Sequence, residues 1–234
     1  MRQARILLGM MVAYTLLPFG LMLLMGGQTG IGELLYAPQF LQSMTNSLAL
    51  GLVSTFIALF LSLIVLSFLP ENFRKRVYLG ALILGVVPPF LLSMGISKAV
   101  FALHLAEGFW LLSVAHAIPI FPYMLFFTFL GMGKVPLNMK LSAQLYSGSA
   151  TVRFVRFYLP FMKPALLAGI LLGLTVSFSQ YVMNLMLWQE VTLTSAMVPY
   201  IYSGEFGKAA LYGMVFVLNL PLMVYFAQKL LKVN

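Results

Sequence analysis

Long apolar runs recur along the whole chain, and they restrict its fold more than any other feature. Six runs of about 20 to 24 residues are each long enough, as a helix, to cross a hydrocarbon core of about 30 Å. A helix also satisfies its own backbone hydrogen bonds where no water is present. We therefore predict an all-α integral membrane protein. The six predicted spans are Ile6–Met25, Ser47–Leu69, Val77–Ile96, Phe109–Gly131, Ala165–Trp188 and Ala209–Leu231.

Composition excludes the other common classes of protein. The mean hydropathy is +0.99 and only 8% of residues are charged, whereas about a quarter are charged in a soluble domain. The runs lack the alternation of apolar and polar residues that barrel strands require. The first run is longer than the apolar region of a signal peptide, and no clear A-x-A cleavage site follows it. We interpret it as a retained span of a single transmembrane domain, residues 1–234.

Basic residues predict the orientation in the membrane. Loops that carry many Lys and Arg residues lie in the cytoplasm, and with six spans two basic residues, Lys98 and Lys208, fall on the outer side. Both termini are then cytoplasmic. The net charge of +9 is explained in this way without a nucleic-acid partner. The basic residues on the inner side are Arg2, Arg5, Arg74, Lys75, Arg76, Lys134, Lys140, Arg153, Arg156, Lys163, Lys229 and Lys232.

Several residue types and motifs that enzymes use are missing from the sequence. There is no Cys and no Asp, and no Glu, Lys or Arg lies near the middle of a predicted span. Walker A, H-E-x-x-H and G-x-S-x-G motifs are absent as well. Proton-coupled carriers usually hold ionisable groups inside the membrane. We therefore predict a chain that is not an enzyme, does not hydrolyse nucleotide itself and holds no cofactor or metal.

Small residues form one stripe on the fifth predicted span. Ala165, Gly169, Gly173 and Ser177 recur every four residues and so share one helical face. Such a face lets two helices approach closely. The neighbouring helix either belongs to the same subunit or to a second subunit.

Polar residues form a second stripe near the end of the same span. Ser177, Gln180 and Asn184 are three and four residues apart, and Tyr181 lies beside them. A polar stripe is unfavourable against lipid. It either hydrogen-bonds neighbouring helices or lines a translocation path for solute. A single histidine on the fourth span, His116, is more typical of a structural hydrogen bond than of a ligand or proton site.

The connection between the fourth and fifth spans, about residues 132–164, carries the most specific pattern. It reads MGKVPLNMKLSAQLYSGSATVRFVRFYLPFMKP. We predict a short amphipathic helix over Lys140 to Tyr146, then a break at Ser147-Gly148-Ser149 that can cap a second helix. The second helix runs over Thr151 to Tyr158 and is expected to stop at Pro160. Arg153 and Arg156 lie on one face of it, where they pair with acidic groups of a partner or with phospholipid headgroups.

This connection resembles the cytoplasmic signature of permease subunits of binding-protein-dependent ABC importers with the type I fold. That signature is an E-A-A triplet, three residues, G-A-S, and a basic-aromatic stretch that ends in L-P. The matching residues here are Ala143, Ser147-Gly148-Ser149, Arg153-Phe154, Arg156, Leu159-Pro160 and Pro164. The resemblance extends over about residues 77 to 230. Leu141 and Ser142 stand where the signature has Glu and Ala, and Ser147 stands where it has Gly.

The resemblance implies a permease of a bacterial inner membrane that works with a separate ATPase. A coupling helix between helices 4 and 5 would bind a cytoplasmic ABC ATPase dimer, which holds ATP and Mg²⁺. A second permease subunit, a different chain because this signature is degenerate, would form the other half of the path. A periplasmic or lipid-anchored binding protein would deliver the solute. The implied ATPase-coupling residues are Ser147, Gly148, Ser149, Arg153, Phe154 and Arg156, and the translocation residues are Ser177, Gln180, Tyr181 and Asn184.

Two further hypotheses concern the function of the chain and its branch of the family. The alternative function is a secondary carrier or channel subunit that works without an ATPase. The late segment GEFGKAALYGMVF resembles most the branch of the importer family that serves thiamine, ferric iron and polyamines.

Overall fold

The computed structural model of the chain describes residue 20 and residues 38–68, 71–146, 148–188 and 190–213. These residues form helices joined by short connections, and no strand occurs among them. The helices are α1 (Pro38–Phe68), α2 (Glu71–Val86), α3 (Pro89–Ala102), α4 (Phe109–Gly133), α5 (Leu137–Tyr146), α6 (Ala150–Arg153), α7 (Leu159–Phe178), α8 (Tyr181–Leu187) and α9 (Leu193–Tyr202). Residues 206–213 are also helical. This all-α architecture confirms the predicted fold class.

Three helices in this part of the chain are long and apolar enough to cross a membrane: Gln39–Ser67, Phe109–Gly133 and Thr151–Phe178. A shorter apolar helix covers Phe90–Ala102. The second predicted span is confirmed, although its helix begins at Pro38 rather than Ser47. The fourth is confirmed with an end at Gly133. The first predicted span, apart from residue 20, and residues 214–231 of the sixth lie outside the described residues.

The third predicted span, Val77–Ile96, is interrupted at Pro88-Pro89, where proline is expected to break or kink a helix. Helix α2 ends at Val86 and α3 begins at Pro89. A residue before proline is disfavoured in the α region, and Pro88 accordingly has an extended backbone with ψ 131°. Its carbonyl accepts the first bond of α3 from the N–H of Leu92, at 3.1 Å.

The prediction of one continuous helix over the fifth span, Ala165–Trp188, is wrong. Helix α7 begins earlier, at Leu159, and ends at Phe178. Gln180 has φ −83° and ψ 59°, and the N–H of Tyr181 donates to the carbonyl of Ser179 at 3.0 Å. This tight turn interrupts the helix before α8. The predicted polar stripe is therefore divided between two helices.

The sequence predicts that the second helix of the 132–164 connection stops at Pro160. This prediction is wrong. Helix α6 continues through a π-helical turn, Phe154–Tyr158, into α7. The N–H of Leu159 donates to the carbonyl of Phe154, five residues earlier. A π turn is wider than an α turn, and it gives room for proline, whose ring would otherwise clash with the preceding turn. Pro164 likewise lies inside α7.

The described residues fall into two compact units, which we describe separately. In residues 38–47 and 190–213, Phe40 packs edge-on against Tyr212, with ring centroids 5.3 Å apart. Ser47 Oγ accepts a hydrogen bond from the N–H of Leu193 at 2.9 Å. Thr192 caps α9 by accepting from the N–H of Ser195. The single-domain prediction concerns the whole chain and stays a prediction.

The second unit, within residues 48–188, is built on the close approach of α1, α4 and α7. A Cβ atom placed on Gly173 of α7 would lie 2.9 Å from Thr55 of α1 and 3.0 Å from Ile120 of α4. One placed on Gly169 would lie 2.9 Å from Met124 Sδ. The small-residue stripe thus packs against helices of the same subunit, which is the first of its two interpretations.

Candidate functional sites

Helix α5, in the connection between α4 and α7, has an exposed apolar face. Leu137, Leu141 and Leu145 are 69%, 51% and 90% exposed. Their spacing of four residues places them within about 80° of one another around the helix, because each residue turns it by about 100°. Ala143, on the opposite side, is fully buried. We call these three residues the leucine face. The described part of the chain does not bury this face.

The predicted coupling residues lie directly after the leucine face. Gly148, Ser149 and Arg156 are exposed, whereas Arg153 and Phe154 are partly buried. Phe154 packs against the apolar cluster of Leu66, Val135, Met162 and Leu166. Ser147 lies outside the described residues. The assignment of all six to ATPase coupling stays a prediction.

The predicted capping by serine is present in the connection. Ser149 Oγ accepts from the N–H of Val152 at 3.5 Å, and its carbonyl accepts from the N–H of Arg153 at 3.1 Å. The leucine face was missed because the sequence was divided at Lys140, and Leu137 was assigned to a loop. The recurrence of leucine every four residues was the signal that could have revealed it.

A half-open cavity of about 380 Å³ lies beside this connection. Residues from α1, α4, α5 and the π turn form its walls, together with the last residue of α6. They are Leu66, Ser67, Met132, Gln144, Arg153, Phe154 and Tyr158.

A cluster of polar side chains is buried among the membrane helices of the same unit. His116 Nδ1 of α4 and Ser177 Oγ of α7 are hydrogen-bonded at 2.8 Å, with the donor set by the imidazole tautomer. Asn184 of α8 interacts with the same imidazole. His116, Ser177 and Asn184 are 0%, 1% and 3% exposed. His116 therefore acts as a structural hydrogen-bonding residue that joins three helices.

The same cluster continues to α3 through the helix break. Ser93 Oγ donates to Gln180 Oε1 at 3.2 Å, and Gln180 is 2% exposed. Among the described atoms of this cluster, Gln180 Nε2 and His116 Nε2 are buried without a hydrogen-bond partner. Each such group costs free energy, of the order of 1–3 kcal/mol. The cluster thus has unused hydrogen-bonding capacity directly at the interruption between α7 and α8.

The structure brings three of the four predicted translocation residues together. Ser177, Gln180 and Asn184 are buried in the polar cluster, and Tyr181 is partly buried. Ser93 was missed, although a second serine four residues later, Ser97, gives α3 the same polar spacing that revealed the stripe on α7. All the polar groups of the cluster are neutral hydroxyl, amide or imidazole groups, which suit hydrogen bonding rather than ion pairing.

No protein-family model matches the sequence. The chain is 30% identical over 187 residues to the inner membrane ABC transporter permease protein YnjC of Escherichia coli (strain K12). This match includes 79% of the chain and 35% of the relative. The chain therefore spans about a third of the length of the curated relative that it matches.

Two solved structures share the fold over almost the whole chain. One is a bacterial alginate ABC transporter in complex with an alginate pentasaccharide-bound periplasmic protein, with a TM-score of 0.65, 14% identity, and coverage of 98% of this chain and 95% of that chain. The other is a bacterial ABC transporter involved in the import of the acidic polysaccharide alginate, with a TM-score of 0.65 and 12% identity. It covers 99% of this chain and 97% of that chain. These comparisons confirm the type I ABC importer permease fold and the resemblance that the sequence indicated.

Proposed function

We propose that this chain is the membrane-spanning permease subunit of an ATP-driven solute importer. It forms half of the translocation pathway and couples to a separate ATPase subunit. The observation that carries the proposal is the leucine face of α5, because an exposed apolar patch of this kind marks an interaction site. The fold and the 30% identity to an ABC transporter permease support it.

The path from the leucine face to the membrane helices supports ATP-driven coupling. Helix α5 is followed by the uninterrupted helical segment Thr151–Phe178, which ends at the polar cluster. Phe154 holds the start of this segment against the apolar cluster around Leu66 and Met162. Tyr146 at the end of α5 packs edge-on against Phe157 of the π turn, with ring centroids 5.3 Å apart. A displacement of α5 by a partner would therefore be passed across the break between α5 and α6 to the helix that reaches Ser177.

The polar cluster is proposed as part of the solute pathway. Discontinuous membrane helices leave backbone groups and polar side chains available to a solute. Ser177, Gln180, Tyr181 and Asn184 would then line the path when the neighbouring helices separate. The neutral character of these groups favours solutes that are recognised by hydrogen bonds. Transport of thiamine, ferric iron or polyamine stays a prediction from sequence resemblance alone.

The assembly and its location complete the proposal. The partners are a cytoplasmic ABC ATPase dimer, a second and different permease subunit, a periplasmic or lipid-anchored solute-binding protein, and membrane lipid. ATP and Mg²⁺ bind the ATPase, so this chain needs no cofactor of its own. It lies in a bacterial inner membrane with both termini in the cytoplasm. The periplasmic protein in the complex of the alginate transporter supports the binding-protein partner.

The test of the proposal is purification of the native chain from its host in mild detergent. We expect a soluble ATPase and a second permease to co-purify, and reconstituted transport to require ATP. Substitution of the Walker A lysine in the co-purified ATPase should abolish transport without releasing the permease. Solute flux through the chain alone in liposomes, with no ATP and no ATPase, would instead establish the secondary carrier or channel.

Cysteine labelling tests the proposed path, because the chain contains no Cys. Gln180→Cys and Asn184→Cys replace buried residues, and Leu185→Cys replaces a neighbour that is 60% exposed. We expect labelling at 180 and 184 by a water-soluble maleimide to rise several-fold when ATP is trapped on the ATPase. Labelling at 185 should not change. Labelling at 180 and 184 that is independent of nucleotide and solute contradicts their placement in the path.

A further inference from the structure

The cavity beside the 132–164 connection lies at the end of two membrane-length helices. Ser67 belongs to the last turn of α1, and Met132 to the last turn of α4. The hydrocarbon core ends where such helices end, and phospholipid headgroups begin there. A half-open cavity of about 380 Å³ at this level can accept part of a lipid molecule. We propose that it is a binding site for the phosphate headgroup of an anionic phospholipid.

The polar wall of the cavity has the chemistry of a phosphate site. The guanidinium of Arg153 can form two parallel hydrogen bonds to phosphate oxygens. Ser67 and Tyr158 supply hydroxyl groups, and Gln144 supplies an amide, as further hydrogen-bond donors. No carboxylate is among the residues that line it.

The remaining wall is apolar, as a lipid site requires. Leu66, Met132 and Phe154 line it, and Phe154 continues into the buried cluster around Met162. A free inorganic phosphate would gain nothing from these side chains. The glycerol backbone and the first methylenes of an acyl chain would bury apolar surface against them.

The surrounding charge selects an anionic headgroup. Residues 132–164 contain Lys134, Lys140, Arg153, Arg156 and Lys163, and no Asp or Glu. The adjoining segment ENFRKR has one acidic and three basic residues. The ammonium group of phosphatidylethanolamine would be repelled here, whereas phosphatidylglycerol adds only hydroxyl groups to the phosphate.

The two arginines of the segment provide a matched test. Arg153 is partly buried and lines the cavity, whereas Arg156, three residues later, is exposed and does not line it. Both are predicted coupling residues, so the readout is lipid binding to the full-length permease purified without an ATPase. The site is thereby tested independently of the proposed function, and either can fail alone.

The experiment is native mass spectrometry of the detergent-purified chain with phosphatidylglycerol, phosphatidylethanolamine or inorganic phosphate. Phosphatidylglycerol should bind more tightly than phosphatidylethanolamine. Arg153→Gln should weaken phosphatidylglycerol binding about tenfold, as expected for the loss of hydrogen bonds to a charged group. Arg156→Gln should change it by less than about twofold, the effect of an exposed charge. Ser67→Trp, which fills the cavity and keeps every charge, should weaken binding as Arg153→Gln does.

Each of the following results would overturn the proposal. Equal losses in Arg153→Gln and Arg156→Gln would mean diffuse attraction to the basic segment. Equal binding of phosphatidylglycerol and phosphatidylethanolamine would mean that the site does not select an anionic headgroup. Displacement of phosphatidylglycerol by inorganic phosphate at similar concentration would assign the cavity to free phosphate. If Arg153→Gln does not fold, Ser67→Trp decides the question, because its unchanged binding would contradict the cavity as the site.

Discussion

Replacing Leu137 and Leu145 together with glutamate is expected to abolish co-purification of the ATPase while the yield of folded permease stays unchanged. The two side chains are 69% and 90% exposed, so the permease does not need them for its own packing. A docked partner would bury both. Loss of two leucine contacts, at about 1.5–3 kcal/mol each, weakens binding at least a hundredfold. The measurement is the ratio of ATPase to permease after affinity purification in mild detergent.

The control for this variant lies on the same helix. Ser142 is exposed and lies about 100° around the helix from the centre of the leucine face, so Ser142→Glu adds one charge outside it. It should retain the ATPase, and Leu145→Met should as well, because it keeps an apolar side chain of similar volume. Leu141 is left unchanged because it stands where the family signature has glutamate. Retention of the ATPase by the Leu137→Glu/Leu145→Glu variant would contradict the docking role of this face.

Sequence periodicity predicted the membrane helices well and their interruptions poorly. Apolar runs located α1 and α4 because burial in lipid depends on length and composition alone. The interruption at Gln180 was not predicted, since glutamine and serine are tolerated inside helices and no proline lies there. It depends on tertiary contacts, in which Ser93 and His116 hold the polar side chains on both sides of the turn.

Proline was the least reliable signal in this chain. Helix α2 ends before Pro88-Pro89, as proline favours, but Pro160, which the sequence predicts as a helix end, lies inside a continuous helix. The difference lies in the turn before each proline. A π turn at Phe154–Tyr158 accommodates Pro160, and such a turn is stabilised by packing of Phe154 and Tyr158 against the apolar cluster. Local sequence cannot specify that packing, because its partners Leu66 and Val135 are distant in the chain.

The small-residue stripe was predicted from spacing, and its partner helices could be identified only from the structure. Four residues at intervals of four define a face, but the sequence left open whether that face contacts the same subunit or another. The closest approaches are to Thr55 of α1 and to Ile120 and Met124 of α4. These contacts make Gly173 the position where an added side chain has the least room.

Gly173→Leu is expected to prevent the permease from folding, whereas Gly95→Leu should be tolerated. A Cβ atom on Gly173 would lie 2.9 Å from both Thr55 Cγ2 and Thr55 Oγ1, and 3.0 Å from Ile120 Cγ2. Thr55 and Ile120 are themselves buried and cannot move aside. Overpacking costs about 1–3 kcal/mol and more where the backbone must shift, which is a large part of the stability of a typical protein. Size-exclusion chromatography in detergent and thermal unfolding, followed by the fluorescence of Trp110 and Trp188, measure the effect.

Gly95 provides the matched control because it also lies inside a helix, and a Cβ atom there would meet nothing within 4 Å. Leucine at that position should change the unfolding temperature little. Gly173→Ala should fall between the two, since Cβ alone already makes the close contacts with Thr55 and Ile120. If the Gly173→Leu chain unfolds at the same temperature but no longer binds the proposed second permease subunit, the glycine face serves assembly. If Gly173 instead serves the packing of α7 against α1 and α4, the unfolding temperature of Gly173→Leu falls. Any loss of assembly is then a consequence of that lower stability.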